Sequence, residues 1–261
     1  MPHPLTPGDL AKSIAARRAC DYVEDGMKVG LGTGSTAAFM VRHLGQLVAD
    51  GLRVTCVPTS ARTGALARSV GLQVVTLDEA RWLDLTIDGA DEFDRDFNLI
   101  KGGGGALLHE KIVAAASERM VVIADPSKRV ETLGAFPLPV EAVAFGLQST
   151  RAAIAEILAS ADVLNRSVTL RMEDDAPYAT DEGNRILDLD LGRIGDARRL
   201  SIQLNQIPGV VENGLFCDLC DIVVVGHPDG RIELRDLANG TVIEERAEMD
   251  EPDNIFAESG D

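Results

Sequence analysis

Along the first 130 residues, short apolar runs alternate with stretches in which apolar positions recur every three or four residues. KVGLG (28–32), RVTCVP (53–58), LQVVTL (72–77), LDLTID (83–88) and RMVVIAD (119–125) read as strands. Between them, 36–49, 60–71 and 105–118 read as helices. Strands separated by helices of this length imply parallel pairing through crossover helices, an open, mostly parallel, Rossmann-like α/β sheet.

After FPLP (136–139) the rhythm changes. PVEAVAF is a strand, GLQSTRAAIAEILAS a helix, SVTLRM and NRILDLD two strands, DARRLSIQLNQ a helix and GVVENGLFC a strand. That β-α-β-β-α-β order is the split pattern of a ferredoxin-like α+β domain. DIVVVG (221–226) is then one more apolar strand, assigned back to the first sheet. The smaller domain is therefore expected as an insertion before the last core strand. The expected boundaries are 1–131 and 207–236 for a catalytic α/β domain and 132–206 for the small domain. An acidic tail, expected to be disordered, covers 237–261.

Composition fits two folded domains: 261 residues, 45% of them hydrophobic, suffice for a sizeable core. No apolar run approaches the roughly 20 residues that span a bilayer. The start, MPHPLTPGDLAKS, lacks the basic end and apolar centre of a secretion signal, so a cytoplasmic protein is expected. A formal charge of −17 argues against nucleic acid or an anionic membrane as partner. Residues 241–261 carry eight acids against one arginine, so −7 of that charge sits at the end. Lysine is scarce, five against twenty arginines, yet Lys101, Lys111 and Lys128 fall within 28 residues of one another. Of the four cysteines only Cys217 and Cys220 are close, as CDLC. A zinc site there needs two further ligands, and His227 is the one nearby histidine; reduced cysteines at a strand edge are the plainer alternative.

In open α/β sheets ligands bind beyond the carboxyl ends of the strands, and the unusual residues fall there. Gly32-Thr33-Gly34-Ser35-Thr36-Ala37 fits a loose G-x-G-x-x-A pattern, but the second strand ends CVPTS, without the acid that holds a nucleotide ribose. What remains is a helix N-terminus with free N–H groups and hydroxyls from Thr33, Ser35 and Thr36, suited to phosphate or sugar oxygens. A strand–helix turn capped by Ser35 or Thr36 is the alternative.

DGADEFD (88–94) sets Asp88 and Asp91 three apart around Gly89 and Ala90. Such carboxylates bind sugar hydroxyls, exchange protons, hold Mg²⁺, or simply decorate a surface turn. KGGGG (101–105) is costlier to order, because glycine loses the most backbone entropy on folding. Successive bare N–H groups of Gly102, Gly103 and Gly104 ahead of a helix make an anion-binding nest, to which Lys101 adds a cation. Glu110 follows about a turn and a half into that helix, beside His109, which reads as a surface histidine. Lys128, in ADPSKR, is placed to reach a phosphate or to be solvated.

Taken in order, GLGTGSTA, VPTSARTGALARSVG, TIDGADEFD, LIKGGGGALLHEKIVA, IADPSK, LGAFPLPVEAV and IPGVVENGLF resemble the ribose-5-phosphate isomerases of the A type, over roughly residues 10–235. The departures are small: four glycines where alanine can stand third or fourth, and His109 before the glutamate. The resemblance implies an aldose–ketose isomerase working on ribose 5-phosphate and ribulose 5-phosphate, without metal or organic cofactor, as a homodimer or homotetramer. It implies Glu110 as the base moving a proton between C2 and C1 through an enediolate, and Asp88 in opening the furanose ring. Thr33–Thr36, Asp88–Asp91, Lys101–Gly104 and Lys128 become the substrate-binding segments. Such chemistry needs a carboxylate against a weakly acidic C–H, and cations or N–H groups where charge develops on oxygen. The apolar ALL and IVAAA around Glu110 permit the burial that raises a base's pKa.

Two other classes compete. A sugar-phosphate sensor on a similar domain needs an output module, for which the first 25 residues are too short. A coenzyme A transferase also uses a glutamate, and forms a thioester on it.

Overall fold

The computed structural model describes residues 5–238 and 240–247. These form two compact units. One is drawn from the described residues up to Gly89, from Ala116–Ser127 and from Asp221 onward; the other holds Ala90–Ala115 and Lys128–Cys220.

The first unit opens with a helix that the apolar pattern does not reveal, α1 (Pro7–Cys20), capped by Thr6, whose side chain accepts the Asp9 N–H. Its buried face is mostly alanine (Ala11, Ala15, Ala16, Ala19), which gives little hydrophobic contrast in the sequence. In order follow β1 (Lys28–Leu31), α2 (Ser35–Ala49), β2 (Thr55–Pro58), α3 (Ala61–Ser69), β3 (Gln73–Val74), α4 (Leu77–Ala80) and β4 (Leu85–Gly89). The expected strand 72–77 is thus cut short. Thr76 and Glu79 form a reciprocal capping box that starts α4 instead.

β5 (Glu92–Phe93), β6 (Leu99–Ile100) and α5 (Leu107–Ala115) belong to the second unit, and β7 (Met120–Ala124) returns to the first. The second unit resumes with β8 (Leu138–Ala142), α6 (Leu147–Ser160), β9 (Ser167–Leu170), β10 (Met172–Glu173), β11 (Ala176–Pro177), β12 (Arg185–Asp190), α7 (Ala197–Asn205), β13 (Val210–Asn213) and β14 (Leu215–Phe216). β15 (Ile222–Gly226), β16 (Arg231–Asp236) and β17 (Thr241–Arg246) complete the first unit.

The large sheet has the order β17-β16-β15-β7-β4-β1-β2-β3. Six neighbours, β3-β2-β1-β4-β7-β15, pair in parallel. Every residue of β7 and β15 is buried, which is why these strands read as unbroken apolar runs. The chain leaves β1 toward β2 and returns to β4 on its other side, so the carboxyl ends of β1 and β4 flank a topological switch point, the customary ligand position. DIVVVG does rejoin this sheet beside β7, but it is not its last strand: β16 and β17 extend the sheet antiparallel. The tail expected to be disordered from 237 is ordered as β17 over Thr241–Arg246, and Arg18 binds Glu245 there at 2.8 Å. The remainder of that tail, 248–261, lies outside the described residues.

In the second unit, β13-β8-β12-β9 form the four-stranded antiparallel sheet of a ferredoxin-like domain, with α6 and α7 packed into its core through Ile154, Leu158, Leu200 and Leu204. The expected strand GVVENGLFC divides at Gly214: β13 pairs with β8, whereas β14 joins β6 and β5 in a three-stranded sheet. The Gly214 N–H donates to Pro139 O at 2.8 Å and its carbonyl accepts from Lys101 N–H at 2.9 Å. A Cβ at Gly214 would collide with the Lys101 carbonyl, so the crossing of the two sheets requires glycine. Because β6 pairs with β14, and α5 packs on β13 and β8, residues 90–115 group with the small domain rather than with a large domain running to 131. Among the described residues no helix is long and apolar enough to cross a membrane.

Candidate active site

In the first unit, parallel register sets Leu31 of β1 beside Ile87 of β4, and Gly32 N–H donates to Ile87 O at 3.0 Å. The next residue on β4, Asp88, is 0% exposed. Its Oδ1 accepts from Thr33 N–H at 3.1 Å and from Gly89 N–H at 2.7 Å. A Cβ on Gly32 would lie 2.6 Å from Asp88 Cα and collide with the carboxylate, so the first glycine of GTGST makes room for Asp88.

The hydroxyl of Thr33 turns toward the start of α3. It lies 2.8 Å from Thr59 Oγ1, 2.9 Å from Ser60 Oγ and 3.2 Å from Thr63 Oγ1, and Thr63 donates to Gly32 O at 3.1 Å. Helix α2 begins at Ser35 with Gly34 as N-cap and without a side-chain cap, so neither Ser35 nor Thr36 closes the turn. Its first N–H groups face outward, where Gly34 and Ser35 are exposed and Thr36 partly so. An uncapped N-terminus of this kind suits an anion. Thr59, Ser60 and Thr63 had no assigned role in the sequence; the hydroxyl-rich TSART after β2 was their signal.

The second unit carries the glycine run. Gly102 has φ 98°, a backbone disfavoured for any side chain, and a Cβ there would lie 2.8 Å from Leu107 Cβ. The run turns back on itself through Gly105 N–H to Gly102 O at 3.0 Å, and Asp91 Oδ2 accepts Gly103 N–H at 2.7 Å. Gly103 and Gly104 are exposed.

Lys101 is 2% exposed and Glu110 3%. The ammonium lies 3.5 Å from Glu110 Oε1 and 5.6 Å from the centroid of the Phe216 ring. Helix α5 starts at Leu107, later than the pattern suggested, so Glu110 stands in its first turn, where a carboxylate gains from the helix dipole. Burial favours a neutral carboxyl, while Lys101 favours the charged form. Next along the helix, Lys111 Nζ binds Glu212 at 2.9 Å, donates to Asn213 O at 2.6 Å and lies 4.8 Å from the Phe216 centroid. Burial pulls Lys111 below the ordinary lysine value. Burial opposes the Glu212 carboxylate, yet Lys111 and hydrogen bonds from Asn213 and Asn205 hold it below the usual range. These bonds fasten the α5 turn that bears Glu110.

The sequence-predicted residues make one contact in the first unit, Thr33 with Asp88, and two in the second, Asp91 with Gly103 and Lys101 with Glu110. Gly89 and Ala90 are partly exposed. Lys128 ends a single 3-10 turn, partly exposed, with no hydrogen bond or ion pair among the described residues. His109 is a surface residue paired with Glu182 at 2.8 Å. All four cysteines are free thiols, and among the described residues no three His, Cys, Asp or Glu side chains cluster as metal ligands. Arg171, without any sequence signal, also meets the glycine run, and Asp188 in turn binds Arg171.

Comparison with known proteins identifies the family. The profile of ribose 5-phosphate isomerase A (phosphoriboisomerase A) matches residues 55–230. A ribose-5-phosphate isomerase A of Cereibacter sphaeroides is 66% identical over 262 residues, covering 100% of both chains. Among solved structures, the ribose 5-phosphate isomerase of Plasmodium falciparum has a TM-score of 0.80 at 32% identity, over 92% of this chain and 99% of its own. A D-ribose-5-phosphate isomerase in complex with phospho-erythronic acid has a TM-score of 0.79 at 36% identity, over 93% of this chain and 100% of its own. Fold and relatives thus define a two-unit α/β aldose–ketose isomerase. The chain belongs to the ribose 5-phosphate isomerase A family.

Proposed function

We infer that this chain interconverts D-ribose 5-phosphate and D-ribulose 5-phosphate by proton transfer through an enediolate. The observation that carries the reading is the buried Lys101–Glu110 pair at the start of α5, beyond the glycine run, in a chain of this family.

Glu110 is the base that takes the proton from C2 and returns it at C1. A positioned carboxylate contributes about 10²–10⁴-fold to such a step. As the proton leaves C2, negative charge grows on the C1 oxygen, and the C2 hydroxyl proton passes to that oxygen as C1 is protonated and the C2 carbonyl forms. Lys101 and the N–H groups of Gly102 and Gly104 supply the compensating cation and dipoles, the Gly103 N–H being held by Asp91. Asp88 assists opening of the furanose ring, and its two accepted N–H bonds hold the carboxylate in place for that work. Gly89, Ala90 and Asp91 bind sugar hydroxyls, while the α2 N-terminus (Gly34 to Thr36) and Lys128 bind substrate oxygens, including phosphate. Thr33 shapes the turn rather than donating to the ligand, since its N–H is taken by Asp88 and its hydroxyl by Thr59, Ser60 and Thr63, which leaves the donors of Gly34, Ser35 and Thr36. The ligand of one related isomerase, phospho-erythronic acid, supports the reading: a phosphorylated acid presents a planar anionic carboxylate where an enediolate would carry its charge.

We place the enzyme in the cytoplasm, acting without metal or organic cofactor, as a homodimer or homotetramer, with neither nucleic acid nor membrane as partner. Chelator-treated protein should convert ribose 5-phosphate to the ketose. Glu110→Gln should lose about 10² or more of turnover while still binding inorganic phosphate. Near wild-type turnover in that variant would remove Glu110 from its role, and light scattering reads the assembly.

A further inference from the structure

The carbonyls of Gly102 and Gly103 both accept hydrogen bonds from Arg171 Nη1, at 3.0 and 3.1 Å. Arg171 directly follows β9, and its backbone N–H donates to Ile186 O at 2.8 Å. Its Nε donates to Asp188 Oδ2 at 2.8 Å and its Nη2 to Asp188 Oδ1, a two-pronged ion pair. The register pairs Asp188 with Thr169, two residues before Arg171, so the two side chains share one sheet face and meet on the diagonal. One side of the guanidinium is thereby locked to the ferredoxin-like sheet, and the remaining N–H groups are presented to the loop.

The consequence lies in the planarity of the peptide. In a trans peptide the C=O and the N–H point opposite ways. Drawing the Gly102 carbonyl to Arg171 turns the Gly103 N–H away from it, to where Asp91 accepts at 2.7 Å. Drawing the Gly103 carbonyl likewise turns the Gly104 N–H to the far side, where it has no partner among the described residues. Four consecutive glycines have little conformational preference of their own. Their N–H directions must be imposed from outside, and Arg171 holds two adjacent carbonyls of the run.

We propose that Arg171, oriented by Asp188, is the positioning residue that sets the peptide planes of the glycine run, seating the Gly103 N–H on Asp91 and turning the Gly104 N–H out for the enediolate charge. This rests on the isomerase reading, and assigns the ferredoxin-like sheet a part in the chemistry. Arg171 acts through the loop, so its loss falls on kcat more than on KM. Lysine cannot replace it, because a single ammonium cannot fork to a carboxylate and span two carbonyls.

The test compares kcat and KM for ribose 5-phosphate, with thermal unfolding midpoints, in wild type, Arg171→Ala, Arg171→Lys and Asp188→Asn. Arg171→Ala should lose on the order of 10²-fold in kcat, the scale of a misplaced catalytic group, with a much smaller change in KM. Arg171→Lys should remain impaired. Guanidinium chloride at low millimolar concentration should restore part of the Arg171→Ala turnover, where sodium chloride at equal ionic strength does not. If Arg171→Ala fails to fold, Asp188→Asn decides, with a fall in kcat at unchanged KM expected. Wild-type kcat in the folded variants, or a loss that guanidinium does not relieve and that follows the melting midpoint, overturns the proposal. An inactive wild type would sink the isomerase reading and this inference together; an active wild type beside unimpaired variants would sink this inference alone.

Discussion

The Lys101 ammonium stands 3.5 Å from the Glu110 carboxylate, and both side chains are almost wholly withdrawn from solvent. Each charge leans on the other, because an ionised group in so dry a place is expensive without a counter-charge. Breaking such a pair by removing one partner costs about 3–5 kcal/mol. Lys101→Met should therefore lower unfolding stability by that order, measured by denaturant titration. The double variant Lys101→Met/Glu110→Gln should recover most of the loss while remaining inactive. An undiminished unfolding free energy in the single variant would mean that the two charges are not coupled.

Gly32 packs against Asp88 so closely that any side chain meets the carboxylate and its Cα. Gly32→Ala should cost about 1–3 kcal/mol from overpacking and should also cut turnover, since the intruding methyl displaces Asp88. Unfolding and kinetics on the same preparation check both. Wild-type values in both would show that the turn yields more easily than the packing indicates.

Thr63 is 6% exposed, and its hydroxyl joins Thr33, Ser60 and the Gly32 carbonyl. Thr63→Val keeps the shape and leaves those groups short of a partner, at about 1–3 kcal/mol. Because the cluster holds the β1–α2 turn, KM for ribose 5-phosphate should rise as well. Stability and KM both unmoved would mean the neighbouring hydroxyls re-pair without it.

Glu245 on β17 is held below the ordinary glutamate value, chiefly by the hydrogen bond from Arg18, with partial burial working against it. A carboxylate depressed in the folded state stabilises above its unfolded value, about 4.3, and that contribution disappears as pH falls through the folded value. Wild type should exceed Glu245→Gln by about 0.2–1 kcal/mol near neutrality, the range for surface pairs, and the gap should close in acid. A gap independent of pH would remove the ion pair as its source.

How legible was this in the sequence? The parallel strands of the large sheet were, because both faces of β7 and β15 are covered and their residues are apolar without a break, whereas β16 and β17, half-polar strands at one edge, were not. The β-α-β-β-α-β order of the small domain was visible for a similar reason: its helices and strands keep their own periods. Alanine hid α1, since a face of Ala11, Ala15, Ala16 and Ala19 hardly differs from its polar side in hydropathy. The division at Gly214 was hidden too, because the choice of partner strand is a tertiary fact that no local pattern carries.

The candidate site followed the same line. Glycine clusters and the acids and lysines beside them announce positions where bare backbone and charge are needed, so Asp88 and Lys101 stood out, while Glu110 was singled out by the family resemblance alone. Arg171 and Asp188 look like any charged residues in or beside a strand; only the folded chain brings Arg171, held by Asp188, to the carbonyls of Gly102 and Gly103.

Gly214 ties the main chain of Lys101 to the seam between two sheets, whereas Glu110 rides on a helix that begins only after the turn. Yet Lys111, the next residue on that helix, binds Glu212 and Asn213, immediately before Gly214. Both reactive groups thus share one mooring at 212–214, and a shift of that stretch would carry lysine and carboxylate together.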